Sequence, residues 1–266
     1  MATAFALPQL IQGGMGVGIS GWRLARAVSS LGQLGVVSGT GLDTLFVRRL
    51  QDGDADGSLR RAMAEFPVPE VCAKVLDRFF RSGGRPAGRP YRALSKFQLG
   101  VDRFRQQITV LASFVEVRLA KEGHASEVGI NLLTKIQLPN LATLYGAMLA
   151  GVDLVLMGAG IPREIPKVLD QLALGRPVAM RLDIESAPAG FAELVTLDPR
   201  ELSGGSTEPL RRPRFVPIVS SSSLATLLAR RSDGRVDGFV VEGSTAGGHN
   251  APPRGEGLRN GGGEPV

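Results

Sequence analysis

Several residue types are scarce in this chain, and each scarcity removes a class of protein. One cysteine, Cys72, in 266 residues excludes an internal disulfide and any multi-cysteine metal site, and it fits a reducing compartment. In VPEVCAKVLDRFF it reads as a structural, partly buried thiol rather than a nucleophile. Only two histidines are present, neither with a second histidine or cysteine close in sequence, so no metal site is expected. Uninterrupted apolar runs of about 18 residues are missing, so no transmembrane helix is expected. The N-terminal MATAFALPQLIQGG has no basic region ahead of a long apolar stretch, which argues against a signal peptide and leaves cytoplasmic residence as the expectation.

A clustered basic face is also missing. The net charge of +6 would suit nucleic acid if it were concentrated, because clustered cations release condensed counterions. Arginines instead run along the whole chain among carboxylates, with only short pairs such as Arg48 and Arg49, Arg60 and Arg61, or Arg211 and Arg212. No nucleic-acid partner and no membrane partner are expected.

What is abundant is glycine, 35 residues, with 17 prolines against 5% aromatics, in a chain 43% hydrophobic. That balance favours an α/β protein with many loops and a large buried core. Short apolar runs end in glycine, serine or asparagine and are followed by helical patterns: strands at 7–14, 35–41, 127–133, 152–160, 214–221 and 236–243. Near-continuous apolar strands suit a parallel sheet buried on both faces. The first helical pattern, 21–35, repeats Trp22, Leu24, Ala25, Val28 and Leu31 at helical spacing, with Ser20 as its expected N-cap. Pro162 and Pro166 place the helix after the fourth strand close by.

Residues 41–126 break this rhythm with helical pieces around an arginine, glycine and proline stretch, and read as a helical insertion suited to a lid or a homodimer contact. Residues 176–213 read as less regular, and the tail at 254–266 as polar, glycine-rich loop. Six strands fall two βα units short of a closed eight-stranded barrel, so a partial barrel spanning 1–253 is expected.

Three constellations carry chemistry. The loop IQGGMGVGISGW holds Gly13, Gly14, Gly16 and Gly18, which let main-chain N–H groups approach a ligand, or else make a tight structural turn. A dinucleotide fingerprint fails here, since GGMGVG lacks the third glycine in register and the next strand, GVVSGTG, ends without an acidic residue. Asn131, polar inside the strand EVGINLL, could face a heteroaromatic edge or tie two loops together. The last strand leads into EGSTAGGHN, where Gly247 and Gly248 can expose N–H groups and His249 can remove a proton near neutrality, whereas His124 in AKEGHAS reads as solvated.

Taken together, LPQLIQGGMG, LARAVSSLGQLGVVSGTG, VGINLL and VDGFVVEGSTAGGHNAPPRG resemble, in order and over nearly the whole chain, the nitronate monooxygenase family, formerly 2-nitropropane dioxygenases. These are FMN-dependent TIM-barrel flavoproteins, with related enoyl-acyl carrier protein reductases among them. The family's E-A-G-G-H motif is interrupted here by Ser244 and Thr245, and the loops of its last two strands are missing, which implies a C-terminally truncated barrel. The resemblance implies that Gly13, Gly14 and Met15 line the flavin ring, that Asn131 contacts it, and that Ser220 and Ser221 end a strand at another flavin contact. It further implies that Gly247 and Gly248 lie near the FMN phosphate and that His249 is the catalytic base. The implied reaction takes a nitroalkane or nitronate and O2 to a carbonyl compound and nitrite. The long insertion resembles the flavin subunits of polyunsaturated fatty-acid synthesis, so FMN-dependent reduction of an enoyl thioester is the alternative, and an inactive truncated remnant is a third.

Overall fold

The computed structural model describes residues 8–100, 102–186, 188, 190–202, 208–243 and 246. Its centre is a curled, parallel six-stranded sheet built from β1 (Ile11–Gln12), β2 (Leu34–Ser38), β3 (Val128–Leu133), β4 (Leu154–Gly158), β7 (Arg214–Val219) and β8 (Val240–Val241). Five of these fall inside the apolar runs expected from sequence, and β2 begins one residue before its run. Along the sheet their order follows the chain without reversal. Among the described strands there is thus no switch point of the kind at which doubly wound folds hold a dinucleotide.

Helices connect the parallel strands, and most of them share one core with a single face of the sheet. They are α1 (Trp22–Ser30), α2 (Leu42–Gln51), α3 (Ser58–Met63), α4 (Pro69–Phe79), α5 (Arg103–Ala120), α6 (Asn140–Leu149), α7 (Ile165–Ala173) and α9 (Ser222–Arg231), with a short α8 (Pro199–Leu202). Alternation along each strand divides the apolar residues between the faces. Val37, Val128, Ile130, Val155, Met157 and Phe215 join the helices in the main core. Leu34, Val36, Leu154 and Leu156 form a second, smaller cluster on the opposite face, with Val216, Ile218 and Val240 packed against it.

The segment expected as an insertion is part of the main core. Leu50, Val75, Phe79, Ile108 and Leu111 are all buried there, and α5 packs against α1, α2, α3, α4 and α6. Between α4 and α5 the described residues form no helix or strand, yet the segment is fastened: Gln51 accepts from the Arg92 N–H at 2.7 Å and donates to the Arg92 carbonyl at 3.1 Å. Residues 176–213 hold what the sequence left irregular, a two-stranded antiparallel pair of β5 (Val178–Arg181) and β6 (Leu194–Leu197). Four-residue strands are too short for alternation to stand out from loop composition.

Ser20 does not cap α1, contrary to expectation. The N-cap position is Gly21, with no side-chain cap of its own. Glu116 of α5 takes that role from across the core: its Oε1 accepts from the Trp22 N–H at 2.7 Å and its Oε2 from Arg49 Nη1 at 2.8 Å. His124 also departs from the solvated reading. It is half-buried after α5, its Nε2 is 2.8 Å from the Ala120 carbonyl, and its Nδ1 is buried without a partner. Cys72 is buried, and burial pushes its thiol up to about 11, which makes it inert at neutral pH.

At the N-terminal end of the sheet, Asp153 joins three elements. Burial alone would raise its carboxyl, but Lys121 Nζ at 2.5 Å, the Val128 N–H at 2.9 Å and Arg211 hold it below the ordinary aspartate range. A carboxyl lowered in the folded state contributes stability above its unfolded value of about 4, and that contribution is lost as pH falls through the folded value. Asp153→Asn should therefore cost about 2–4 kcal/mol at pH 7 and flatten the loss of stability as pH falls below about 4. Urea titrations of both proteins across that range would measure it.

Among the described residues, no helix is long and apolar enough to cross a membrane.

Candidate functional site

Of the residues singled out from sequence, the described ones, Gly13, Gly14, Met15, Asn131, Ser220 and Ser221, lie toward the carboxyl ends of the strands. The loop after β1 turns back over the sheet at Gly14, whose φ of +70° is open to glycine at little cost. A Cβ on Gly14 would lie 2.5 Å from Val36 Cγ1 and 3.1 Å from Asn131 Cβ. That glycine therefore serves close packing of the loop on β2 and β3. Gly13 is different: a Cβ there would meet nothing within 4 Å, and its φ is not in the left-handed region. Met15 beyond it is 43% exposed.

Asn131 fastens this loop. It is buried near the end of β3, and its Nδ2 donates to the Gly13 carbonyl at 2.7 Å, while its own carbonyl accepts from the Gly39 N–H at 2.7 Å. Asn131 is thus a tie that holds the loop after β1 to β3. Gln12 and Ser20 complete the frame. Gln12 accepts from the Val36 N–H at 3.2 Å and donates to Ser20 Oγ at 3.0 Å, and Ser20 Oγ donates to the Met15 carbonyl.

On the far strands, Val219 pairs with Val241, so the next residues, Ser220 and Glu242, stand side by side at the sheet's end. Ser220 is bonded within the structure, and Ser221 caps α9 by accepting from the Leu224 N–H at 3.3 Å. Burial raises the Glu242 carboxyl above its ordinary range. Glu242 is not among the residues expected from sequence, and its signal there is an acidic residue closing an apolar strand. Gly247, Gly248 and His249 lie outside the described residues, as does the 254–266 tail.

A cavity of about 600 Å³ opens beside this edge, above β2 and β3. Its walls come from Gly39–Asp43, Phe97 and Leu99, Lys135–Pro139 and Leu182–Ile184, with Arg105, Thr109 and Thr143 beneath. No local pattern points to it, because it joins four segments far apart in the chain. Asp43 and Arg105 form an ion pair at 2.6 Å with both side chains about 6–7% exposed. Thr109 Oγ1 donates to Asp43 Oδ2 at 3.2 Å and accepts from Arg105 Nη1 at 3.1 Å, and Arg105 Nε donates to the Ser95 carbonyl at 2.9 Å. The ring of Phe97 lies 4.0 Å from the same guanidinium.

No family model, curated protein or solved structure matches the chain.

Proposed function

We propose that this chain is a partial TIM-type barrel that binds FMN at the carboxyl ends of its strands and oxidises nitronates with O2 to a carbonyl compound and nitrite. The observation that carries this reading is the pairing of Gly13 and Asn131: an open glycine on a framed loop, held by a buried amide, at the strand ends where barrel enzymes keep their chemistry. The ring side of the site fits a flavin in kind, because the Gly13 backbone can approach a flat ligand without a side chain in between. When bound, FMN would supply the electron acceptor and the reaction with oxygen.

The chain's own residues have separate tasks under this proposal. Gly13, Gly14 and Met15 shape the wall against the ring, and Asn131 fixes that wall. Ser220, the residue after β7, adds a polar group. Gly247 and Gly248 hold the phosphate through main-chain N–H groups, and His249 takes the α-proton of a neutral nitroalkane; these roles rest on the sequence.

Gly13→Val separates a flavin wall from a merely structural turn. The added side chain enters open space and an ordinary backbone conformation, so the melting curve should be unchanged, while FMN retained after desalting should fall at least about tenfold. The unmodified chain should keep its visible flavin bands and release nitrite from a preformed nitronate in air. A folded but colourless chain would overturn the proposal. Anaerobic reduction of bound flavin by a reduced nicotinamide cofactor, without nitrite release, would assign enoyl reduction in its place.

A further inference from the structure

We infer that the cavity between Gly39–Asp43, Phe97–Leu99, Lys135–Pro139 and Leu182–Ile184 is a binding site for an unbranched aliphatic chain with an uncharged polar head. This inference stands on the cavity alone and does not require the flavin.

The volume of about 600 Å³ is that of a small-molecule site. Its chemistry follows from how the polar groups beneath it are used. Asp43 and Arg105 neutralise each other, and Thr109 bridges them. The second oxygen of Asp43 accepts from the Thr44 N–H at 2.6 Å, and Thr143 Oγ1 donates to the Pro139 carbonyl at 2.9 Å. Buried polar groups that already have partners gain little from a polar ligand, which would lose its own water. Hydrocarbon loses no such partners. Leu42, Phe97, Leu99, Leu138, Leu182 and Ile184 supply the matching surface.

The walls are fastened, so the cavity does not depend on the ligand to form. Gln137 accepts from the Asp183 N–H at 2.7 Å and donates to the Asp183 carbonyl at 2.9 Å, which holds the 182–184 segment against the loop after β3. Across the opening, Arg105 holds Ser95 and stacks on Phe97. The exposed rim carries one residue of each sign, Lys135 and Asp183. A head with net charge would gain from one and be opposed by the other, whereas an uncharged head satisfies both through hydrogen bonds.

The test is calorimetric titration of the whole chain with 1-alkanols of about four to about ten carbons, with and without FMN. Each added methylene should tighten Kd by about fourfold until the chain fills the cavity. Leu99→Asp and Ile184→Asp, at residues 57% and 37% exposed, should leave the melting temperature unchanged and weaken the longest alcohol at least about tenfold. Leu174→Asp, at an exposed apolar residue that does not line the cavity, should have no effect. An affinity that ignores chain length, or falls equally with Leu174→Asp, would overturn the inference. So would a carboxylate or ammonium head that binds at least about tenfold tighter than the alcohol. Chain binding in a protein that takes up no FMN would leave this inference standing and count against the flavin reading alone.

Discussion

Gly146→Val is expected to leave no folded protein. Gly146 lies at the contact of α6 with α5, where a Cβ would overlap the Val110 carbonyl oxygen and press on Ser113 Cβ. Neither neighbour is the free end of a flexible side chain. The Val110 carbonyl belongs to an interior turn of a helix buried on almost every side, and the Ser113 hydroxyl donates to the Thr143 carbonyl at 2.7 Å between the same two helices. Relief requires the helices to separate, which would loosen the packing of Leu111, Leu144 and Met148, all essentially inaccessible to solvent. Overpacking in a core that can adjust costs about 1–3 kcal/mol. Here the obstruction is backbone, and a loss above about 4 kcal/mol is expected, a large share of the roughly 5–15 kcal/mol that holds a domain together. Circular dichroism of the purified variant and its soluble yield would measure this. A melting temperature within a few degrees of the unmodified chain would refute the close contact of α5 and α6.

The second large effect concerns the buried ion pair under the cavity. Removing one partner strands the other in a place with little water, so Asp43→Leu alone should cost about 3–5 kcal/mol, and Arg105→Met alone a similar amount. The double replacement should lose much less than the sum of the two, because no charge remains to be solvated. Denaturant titration of the four proteins gives the coupling directly. Additive losses would mean that water reaches the pair and that Asp43 and Arg105 act independently. The double variant also separates packing from charge: Arg105→Met removes the guanidinium that holds Ser95 and stacks on Phe97, so the 95–99 wall should loosen even when stability is restored.

The apolar strands were legible because a parallel strand buried on both faces leaves a run of valine, leucine and isoleucine that few loops share. Val128–Leu133 and Leu154–Gly158 were found within two residues of the bounds expected for them. The helices were legible in the same way, although α5 hid its role. Thirteen of its residues are buried, so the single apolar stripe that marks a surface helix is absent, and the segment read as an insertion rather than as the helix that the neighbouring helices pack around. Asn131 shows the limit at the site. A polar residue inside an apolar strand had to be bonded, but its partner, the Gly13 carbonyl, lies 118 residues away and could not be named from composition or spacing.

The sequence by itself determined the class of the protein, the places of the six parallel strands and the glycine loop at the end of the first. Those follow from local periodicity and from the backbone freedom of glycine, which are properties of a few neighbouring residues. Only the tertiary structure decided that strand order runs without reversal, that Glu116 caps α1 from across the core, and that Asp43 and Arg105 meet under an apolar cavity. Each of these depends on contacts between residues far apart in the chain, and such contacts are set by packing and charge pairing that local pattern does not record.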